Sequence, residues 1–364
     1  MSSGGQGRVL GWDVLRGLCA LAVASYHLMY WQGLPSLYTF GSYGVYLFFV
    51  LSGASLAYTY EGRLASWRDA GSFLATRWLR LAPLYFVLCM VFVGLLSVHL
   101  GHLTDQLPFR LALNATFAFG VYDPATWALL IGGWSLGIEF VYYLVFPLLL
   151  AAVARPATCA LLAVALAALQ WYWIVTTAGS PEGYEASSVA YHQVPAFAAY
   201  FFGGCVIGHW RKLRDHAWPQ WAGACVWIGI AALLLALNPT EEGDQLLGVR
   251  GAVLFAACFV VVYASGQVAV QGRLAPVARW LGDITYGCYL LHPMFFFGFT
   301  WFVLPRFTAV DIADMEFATR CLVLVAVLVA SCALATASER WFERPVRQWG
   351  RRLFTRRRLQ ARPA

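Results

Sequence analysis

Residues 133–154 read GWSLGIEFVYYLVFPLLLAAVA, and Glu139 is the single charged residue in this stretch. A helix of that length measures about 33 Å at a rise of about 1.5 Å per residue, which matches the ~30 Å hydrocarbon core of a bilayer. A helix also satisfies its own backbone hydrogen bonds, as lipid requires. The stretch therefore predicts a helix that spans a membrane.

Nine further stretches of similar length and polarity occur along the 364-residue chain. Apolar residues make up 60% of the sequence and charged residues 12%, about half the share of charge that is usual in a soluble domain. The sequence therefore predicts an all-α, polytopic membrane protein with about ten transmembrane helices. The predicted spans are 12–31, 41–60, 79–100, 133–154, 157–178, 193–210, 218–238, 248–270, 280–303 and 318–338.

The distribution of basic residues predicts the orientation of these spans. If the chain starts in the cytoplasm, 21 of its 25 Lys and Arg residues lie on the cytoplasmic side, nine of them between Arg340 and Arg362. Cytoplasmic loops carry such an excess, so we expect both termini there. We expect one transmembrane domain over residues 1–347 and a basic cytoplasmic tail over residues 348–364. The net charge of +7 thus indicates a membrane surface rather than nucleic acid.

The cysteines and two of the histidines could take part in metal binding or redox chemistry, but other roles explain their positions more simply. The nine cysteines lie in apolar stretches without a Cys-x-x-Cys pair, which favours packing over disulfides. His99 and His102 have a spacing that could bind a metal, but no third ligand is evident, so we expect no metal site. We also expect the first span to remain a helix rather than to be a cleaved signal peptide.

Five ionisable residues lie inside the predicted spans, where charge is costly and usually functional: Arg16, His27, Glu139, Asp283 and His292. Arg16 and His27 are eleven residues apart, so both side chains project from one helix face about 16.5 Å apart along the axis. One face then carries an anion-binding group near its cytoplasmic end and a titratable imidazole at depth. An interfacial anchor and a packing histidine are the alternative.

Three other segments add candidate residues. Arg77 and Arg80, one helical turn apart, could clamp a phosphate, although positive-inside bias explains them equally well. Glu139 has no basic neighbour in sequence, so we expect it to pair with His27 or an outer Arg. The small residues from Gly44 to Gly53 favour close helix packing, and Ser52 can hydrogen-bond across that interface.

The last predicted spans and the longest loop carry further signals. Asp283 and Tyr286 are three residues apart and can share a helix face, and His292 precedes a proline. The loop over residues 101–132 contains a semi-apolar stretch, Leu107 to Gly120, that we expect to lie in the interface or to re-enter the membrane.

Taken in order, these segments resemble the acyltransferase-3 family of bacterial membrane O-acyltransferases. The resemblance covers residues 12–347, and six short motifs together are far more specific than any one of them. One position departs from it, because many relatives carry an acid where this chain has Tyr46. The matching motifs are Arg16-x10-His27, Gly44 to Gly53, Arg77-x-x-Arg80 with Pro83-Leu84-Tyr85, Trp134-Ser135-Leu136 with Glu139, Ile284-Thr285-Tyr286 to His292, and Glu339 to Pro345.

The resemblance implies transfer of an acyl group, most simply acetyl, from acyl-CoA to a sugar hydroxyl, with no bound cofactor. His27 would be the general base, oriented by Glu139, although an acyl-His27 intermediate stays open. The remaining residues that the resemblance implies are Arg16, Arg77 and Arg80 for the donor, and Ser135, Tyr286 and His292 for the acceptor or oxyanion.

The implied setting is the bacterial cytoplasmic (inner) membrane, with an exopolysaccharide or its lipid-linked oligosaccharide precursor as acceptor and polysaccharide-assembly proteins as possible partners. The similarity is to stand-alone acetyltransferases of xanthan-type pathways, without an appended esterase-like domain. Two other classes also bury Arg, His and Glu in a membrane: a secondary transporter or flippase for lipid-linked sugars, and a structural subunit of an assembly complex.

Overall fold

A computed structural model describes residues 8–103, 105–180, 184–213, 218–350 and 352. Within these ranges the secondary structure is helical, and Trp218 and Val268 form an isolated bridge rather than a strand. The α-helices are α1 Leu10–Trp31, α2 Tyr38–Tyr60, α3 Trp67–Leu100, α4 Leu107–Thr116, α5 Phe119–Tyr122, α6 Pro124–Trp127, α7 Gly133–Val153, α8 Pro156–Thr176, α9 Tyr184–Tyr191, α10 Ala198–Leu213, α11 Gln220–Ala236, α12 Gly248–Gln267, α13 Leu274–Gly298 and α14 Phe317–Ser338.

Each predicted span coincides with one long helix: α1, α2, α3, α7, α8 and α10 to α14. Seven of these, α2, α3, α7, α8, α12, α13 and α14, are long and apolar enough to cross a membrane. Helices α10 and α11 are shorter, with 16 and 17 residues. The all-α, polytopic membrane fold is therefore confirmed, whereas the count of ten crossings and the cytoplasmic location of the termini stay predictions.

Two predicted boundaries were wrong, and both helices begin earlier than the predicted spans. Helix α3 starts at Trp67 because the Ser66 hydroxyl caps it by accepting from the Asp69 amide. Helix α13 starts at Leu274. The α3 extension is rich in polar residues, so hydropathy alone does not detect it, whereas the α13 extension is mostly apolar and was missed because the predicted span started after Arg279. As a result Arg77 and Arg80 lie well inside α3 rather than at its first turn.

Consecutive long helices run in alternating directions. The contacts between their ends show this, because they fall into two groups at opposite ends of the bundle. At the predicted cytoplasmic end, Arg8 lies 2.7 Å from the Asp283 carboxylate, and the Lys212 ammonium donates to the Glu61 carbonyl at 2.8 Å. These contacts join α1 to α13 and α10 to α2. Contacts at the opposite end join Arg320 to the Gln32 carbonyl and Asn238 to the Ser36 carbonyl, both at 3.0 Å.

Helices α2 and α10 approach so closely that their glycines leave no room for a side chain. A Cβ atom on Gly53 would lie 2.1 Å from the Phe201 carbonyl oxygen, and one on Gly204 would lie 2.1 Å from the Val50 carbonyl oxygen. Gly204 and Gly208 form a small-xxx-small pair, which is typical of helices in close contact in membranes. The predicted packing role of the small residues in α2 is confirmed.

The segment after α3 folds back into the bundle as three short helices, α4 to α6. Asn114 is fully buried, accepts from the Tyr85 hydroxyl at 2.6 Å and donates to the Trp127 carbonyl at 2.8 Å. The Trp78 indole, next to Arg77, donates to the Ala115 carbonyl at 3.0 Å. The semi-apolar stretch therefore packs beside α3, and both of its expected locations, in the interface or within the membrane, stay predictions.

We predict that Gly204→Ala destabilises the protein, because the new methyl group would overlap the Val50 carbonyl. Overpacking of this kind costs about 1–3 kcal/mol, so the midpoint of thermal unfolding in detergent should fall by roughly 3 °C or more. Gly229→Ala is the matched control, since nothing lies within 4 Å of a Cβ at that position. Equal midpoints for the two variants would contradict the α2–α10 packing.

Candidate functional site

Three neighbouring cavities follow one another through the bundle. The inner cavity, of about 520 Å³, lies at the end where Arg8 meets Asp283, and the middle cavity is about 130 Å³. The outer cavity, of about 350 Å³, contains His27 in its wall. The inner and middle cavities share walls that include Arg80, and the middle and outer cavities share Val45 and Tyr289. A line of cavities thus runs from the predicted cytoplasmic end to His27.

Five arginines and four acids line the inner cavity, so it has a small excess of positive charge, and most of its guanidinium groups have acidic partners. Asp13 is 2% exposed and accepts from both Arg8 and Arg16, the latter at 3.1 Å. Arg16 also donates to the Ser55 hydroxyl. Our sequence analysis expected Asp283 inside a predicted membrane span. It forms an ion pair with Arg8 at the rim of the cavity. The arginines that line the cavity are Arg8, Arg16, Arg77, Arg80 and Arg347.

Arg80 and Arg77 differ from the other arginines of this cavity because neither forms an ion pair with an acid among the described residues. Arg80 forms no hydrogen bond or ion pair with any residue in the described part of the chain, and its side chain is exposed to the cavity. Arg77 donates to the Tyr60 hydroxyl at 3.3 Å, while its buried Nε has no acceptor. Two guanidiniums one turn apart with free donors suit a phosphate group.

Arg347 also faces the inner cavity, and our sequence analysis assigned it only to the basic C-terminal region. The chain continues as a helix past Ser338 through a π-turn at Glu339–Glu343. Arg347 donates to both carboxylate oxygens of the buried Glu339, at 2.5 and 2.8 Å. The spacing of Glu339, Glu343 and Arg347 puts all three on one helix face, and this pattern could have identified the residue.

Helix α1 carries Arg16 and His27 at opposite ends of the cavity line. Arg16 lines the inner and middle cavities, and His27 lines the outer cavity. Both are partly buried, and they project from the face that the spacing of eleven residues predicts. A molecule that reaches from Arg16 to His27 would therefore follow α1 through the middle cavity.

His27 and His292 form a hydrogen-bonded pair between α1 and α13. His27 Nδ1 lies 3.0 Å from His292 Nε2, and the two rings are nearly parallel, with an angle of 10° between their planes. The Trp31 indole stacks against the His27 ring with centroids 5.2 Å apart. His292 is 1% exposed. The pair is thus held on one side by an aromatic ring and on the other by α13.

The contacts of this pair determine where its protons reside. His292 Nδ1 lies 3.3 Å from the Cys288 carbonyl oxygen, which can only accept, so this nitrogen carries a proton. His292 Nε2 is then a lone-pair acceptor, and His27 Nδ1 must donate to it. In this tautomer His27 Nε2 carries a lone pair and no proton, because a hydrogen bond at the other nitrogen orients a neutral imidazole.

Glu139 does not pair with His27, which corrects our expectation from the sequence. Its carboxylate accepts from the Ser52 hydroxyl at 2.5 Å and from the Tyr143 hydroxyl at 2.6 Å. Both contacts are made by Oε1, in the wall of the middle cavity, so the carboxylate is held by two hydroxyl groups and not by an imidazole. The Ser52 contact joins α2 to α7, which confirms the predicted hydrogen bond across that interface.

The other predicted acceptor or oxyanion residues lie at two levels. Tyr286 donates to the Leu81 carbonyl at 2.7 Å and lines the inner and middle cavities, away from His27. The Ser135 hydroxyl lies 3.1 Å from the Tyr289 hydroxyl, and both contact the Gly132 carbonyl, at 2.9 Å each. Tyr289 thus stands at the boundary between the middle cavity and the outer cavity.

The outer cavity contains His192, which sequence reasoning missed because it lies in the connection between α9 and α10 and not in an apolar span. His192 Nδ1 lies 2.6 Å from the Ser188 carbonyl, and its ring packs against Trp134 with centroids 4.3 Å apart. Trp134 belongs to the motif around Glu139, but it lines the outer rather than the middle cavity.

The polytopic helical bundle thus holds a pair of histidines at the far end of a line of cavities that begins with arginines. The sequence profile described as "Acyltransferase domain" matches residues 9–337. The chain therefore belongs to the acyltransferase-3 family, as its motifs predicted. This membership sets aside the transporter and the structural-subunit alternatives.

Two curated relatives align with most of the chain. One, from Acidianus two-tailed virus, is named "Putative acetyltransferase" and is 27% identical over 280 residues, covering 76% of this chain and 80% of its own length. The other, from Bacillus subtilis (strain 168), is named "Putative peptidoglycan O-acetyltransferase" and is 26% identical over 389 aligned residues, covering 95% of this chain. The chain spans only 56% of the Bacillus protein. No solved structure matches the chain.

Proposed function

We propose that this acyltransferase moves an acetyl group from acetyl-CoA to a hydroxyl of a cell-envelope sugar, with His27 as the general base. The observation that carries the proposal is the His27–His292 hydrogen bond, which leaves His27 Nε2 unprotonated at the far end of a line of cavities that begins with free guanidiniums. Names of relatives support an acetyl donor and an O-acetyl product.

The inner cavity would hold the donor by its phosphates. Arg80 and Arg77 have unused N–H groups there, and Arg16 adds a third positive charge at the entrance to the middle cavity. The pantetheine arm would then extend along α1 through the middle cavity towards His27. The distance of about 16.5 Å along the helix between Arg16 and His27 suits such an extended chain.

In the proposed transfer one base is used, one carbon–oxygen bond forms and one carbon–sulfur bond breaks. The sugar hydroxyl gives its proton to His27 Nε2 while its oxygen attacks the thioester carbonyl carbon. The tetrahedral intermediate collapses with cleavage of the carbon–sulfur bond, and the thiolate takes the proton from His27 to leave as a thiol. His292 stabilises the transient imidazolium by accepting from His27 Nδ1.

The hydroxyl groups of Ser135 and Tyr289 would stabilise the oxyanion. They are adjacent and now donate to the Gly132 carbonyl, and each would turn its hydroxyl proton from that carbonyl to the substrate oxyanion. Glu139 would act as a positioning residue that fixes Ser52 and Tyr143 in the passage for the acyl chain. Tyr286 would line the entrance to that passage.

The acceptor would be a polysaccharide or its lipid-linked precursor, reached from the outer cavity. A relative named for peptidoglycan O-acetylation supports an envelope glycan. The setting would be the bacterial cytoplasmic membrane, with the inner cavity facing cytosolic acetyl-CoA and the basic C-terminal region beside anionic lipid. Proteins of polysaccharide assembly would be its partners.

We predict that His27→Ala lowers acetyl transfer to an envelope-glycan acceptor by about 10²–10⁴-fold, because general base catalysis is lost. The measurement is transfer of radiolabelled acetyl from acetyl-CoA by purified full-length protein in nanodiscs. His99→Ala is the control, because His99 lies outside the three cavities and packs on Trp301. Wild-type turnover by a His27→Ala protein with normal thermal stability would refute the base assignment.

Removal of the Arg80 guanidinium should weaken donor binding selectively. We predict that Arg80→Ala raises the KM for acetyl-CoA by at least ~10-fold, since a charge-assisted hydrogen bond contributes about 1.5–3 kcal/mol. Arg306→Ala removes an exposed arginine near the opposite end and should leave that KM unchanged. The donor site is placed wrongly if both variants keep the wild-type KM for acetyl-CoA in steady-state kinetics.

A further inference from the structure

The outer cavity has the composition of a carbohydrate site. At about 350 Å³ it falls within the ~300–1,000 Å³ of typical ligand pockets, and its walls combine aromatic rings with a few polar groups. Aromatic faces pack well against the C–H faces of a pyranose ring, while polar groups at the edge accept its hydroxyls. The aromatic residues include Trp31, Trp134, Tyr26, Tyr30 and Tyr184.

His192 supplies a neutral hydrogen-bond acceptor in this cavity. Burial lowers the pKa of His192 to about 4, so the ring is uncharged near neutral pH. Its Nδ1 donates to the Ser188 carbonyl at 2.6 Å, which leaves Nε2 as a lone-pair acceptor. Nε2 has no hydrogen-bond partner among the described residues, so it is available to a ligand hydroxyl. The adjacent Trp134 ring fixes the orientation of the imidazole.

The charge of the outer cavity is opposite to that of the inner cavity. Glu242 lines it and accepts from the Tyr26 hydroxyl at 3.0 Å. Neither Lys nor Arg occurs among the described residues that line this cavity, whereas five arginines line the inner one. A ligand carboxylate would lie near the Glu242 carboxylate, and the described lining offers it no Lys or Arg as a partner, so its binding would be disfavoured.

We propose that the outer cavity is the acceptor site and that it selects an uncharged pyranose. The ring stacks on Trp134, His192 Nε2 and the Glu242 carboxylate accept from its hydroxyls, and Glu242 excludes sugars that carry a carboxylate. This inference rests on the proposed function, because His27 in the same cavity wall is the base that the sugar hydroxyl must reach.

Two matched sugars test the selection by charge: 4-nitrophenyl β-glucoside and 4-nitrophenyl β-glucuronide, which differ by one carboxylate. Binding of the radiolabelled glycosides to full-length protein in nanodiscs is measured by equilibrium dialysis, and acetyl transfer to each is measured separately. The glucoside should bind at least ~30-fold more tightly than the glucuronide. Glu242→Gln should reduce this ratio by ~10-fold or more, and the control Glu316→Gln, an exposed acid near the outer end, should leave it unchanged.

Stacking on Trp134 is tested by the same dialysis. Trp134→Ala should weaken glucoside binding by ~10-fold or more without a change in the KM for acetyl-CoA, and Trp134→Phe should restore most of the affinity. Equal binding of both sugars to the wild type, or full affinity in Trp134→Ala, would overturn the inference. Selective binding without acetyl transfer would leave the inference standing and contradict the proposed function instead.

Discussion

The hydrogen bond between His27 and His292 is the contact on which the rest of the site depends. The ring nitrogens of an imidazole inside an apolar bundle need hydrogen-bond partners, because otherwise the free energy of their hydration is lost without compensation. Here each ring satisfies one nitrogen of the other, and the Cys288 carbonyl satisfies the last donor. In this arrangement His27 Nε2 is the one ring nitrogen of the pair that has no hydrogen-bond partner among the described residues. It also joins α1 to α13 at the depth where the cavities meet.

The two large cavities differ in charge, and helix α1 contributes a side chain to each of them. One face of α1 presents Arg16 to the inner cavity and His27 to the outer one, so the helix itself sets the distance between the proposed phosphate site and the proposed base. The inner cavity has guanidiniums in excess, and the outer cavity has aromatic rings and Glu242. In the account proposed here, an anionic donor and a neutral acceptor would therefore meet at His27 from opposite ends.

Hydropathy and spacing predicted much of this fold and part of its site. The long apolar runs and the face shared by Arg16 and His27 are local properties, so they could be read from the sequence. The partner of Glu139 could not be predicted, because the choice among His27, Ser52 and Tyr143 depends on how α1, α2 and α7 pack. His192 was missed because it lies in the connection between α9 and α10. A polar residue is ordinary in a connection, so it does not stand out as it would inside an apolar span.

The most direct test of the account is the tautomer of His27 in the resting enzyme, measured by nitrogen-15 NMR on ring-labelled histidine in nanodiscs. The His27→Gln variant assigns its signals among those of the seven histidines. The account predicts a neutral ring with its proton on Nδ1 and none on Nε2. A ring protonated on Nε2 instead would contradict it, because the nitrogen assigned as the base would then have no lone pair to accept the sugar proton.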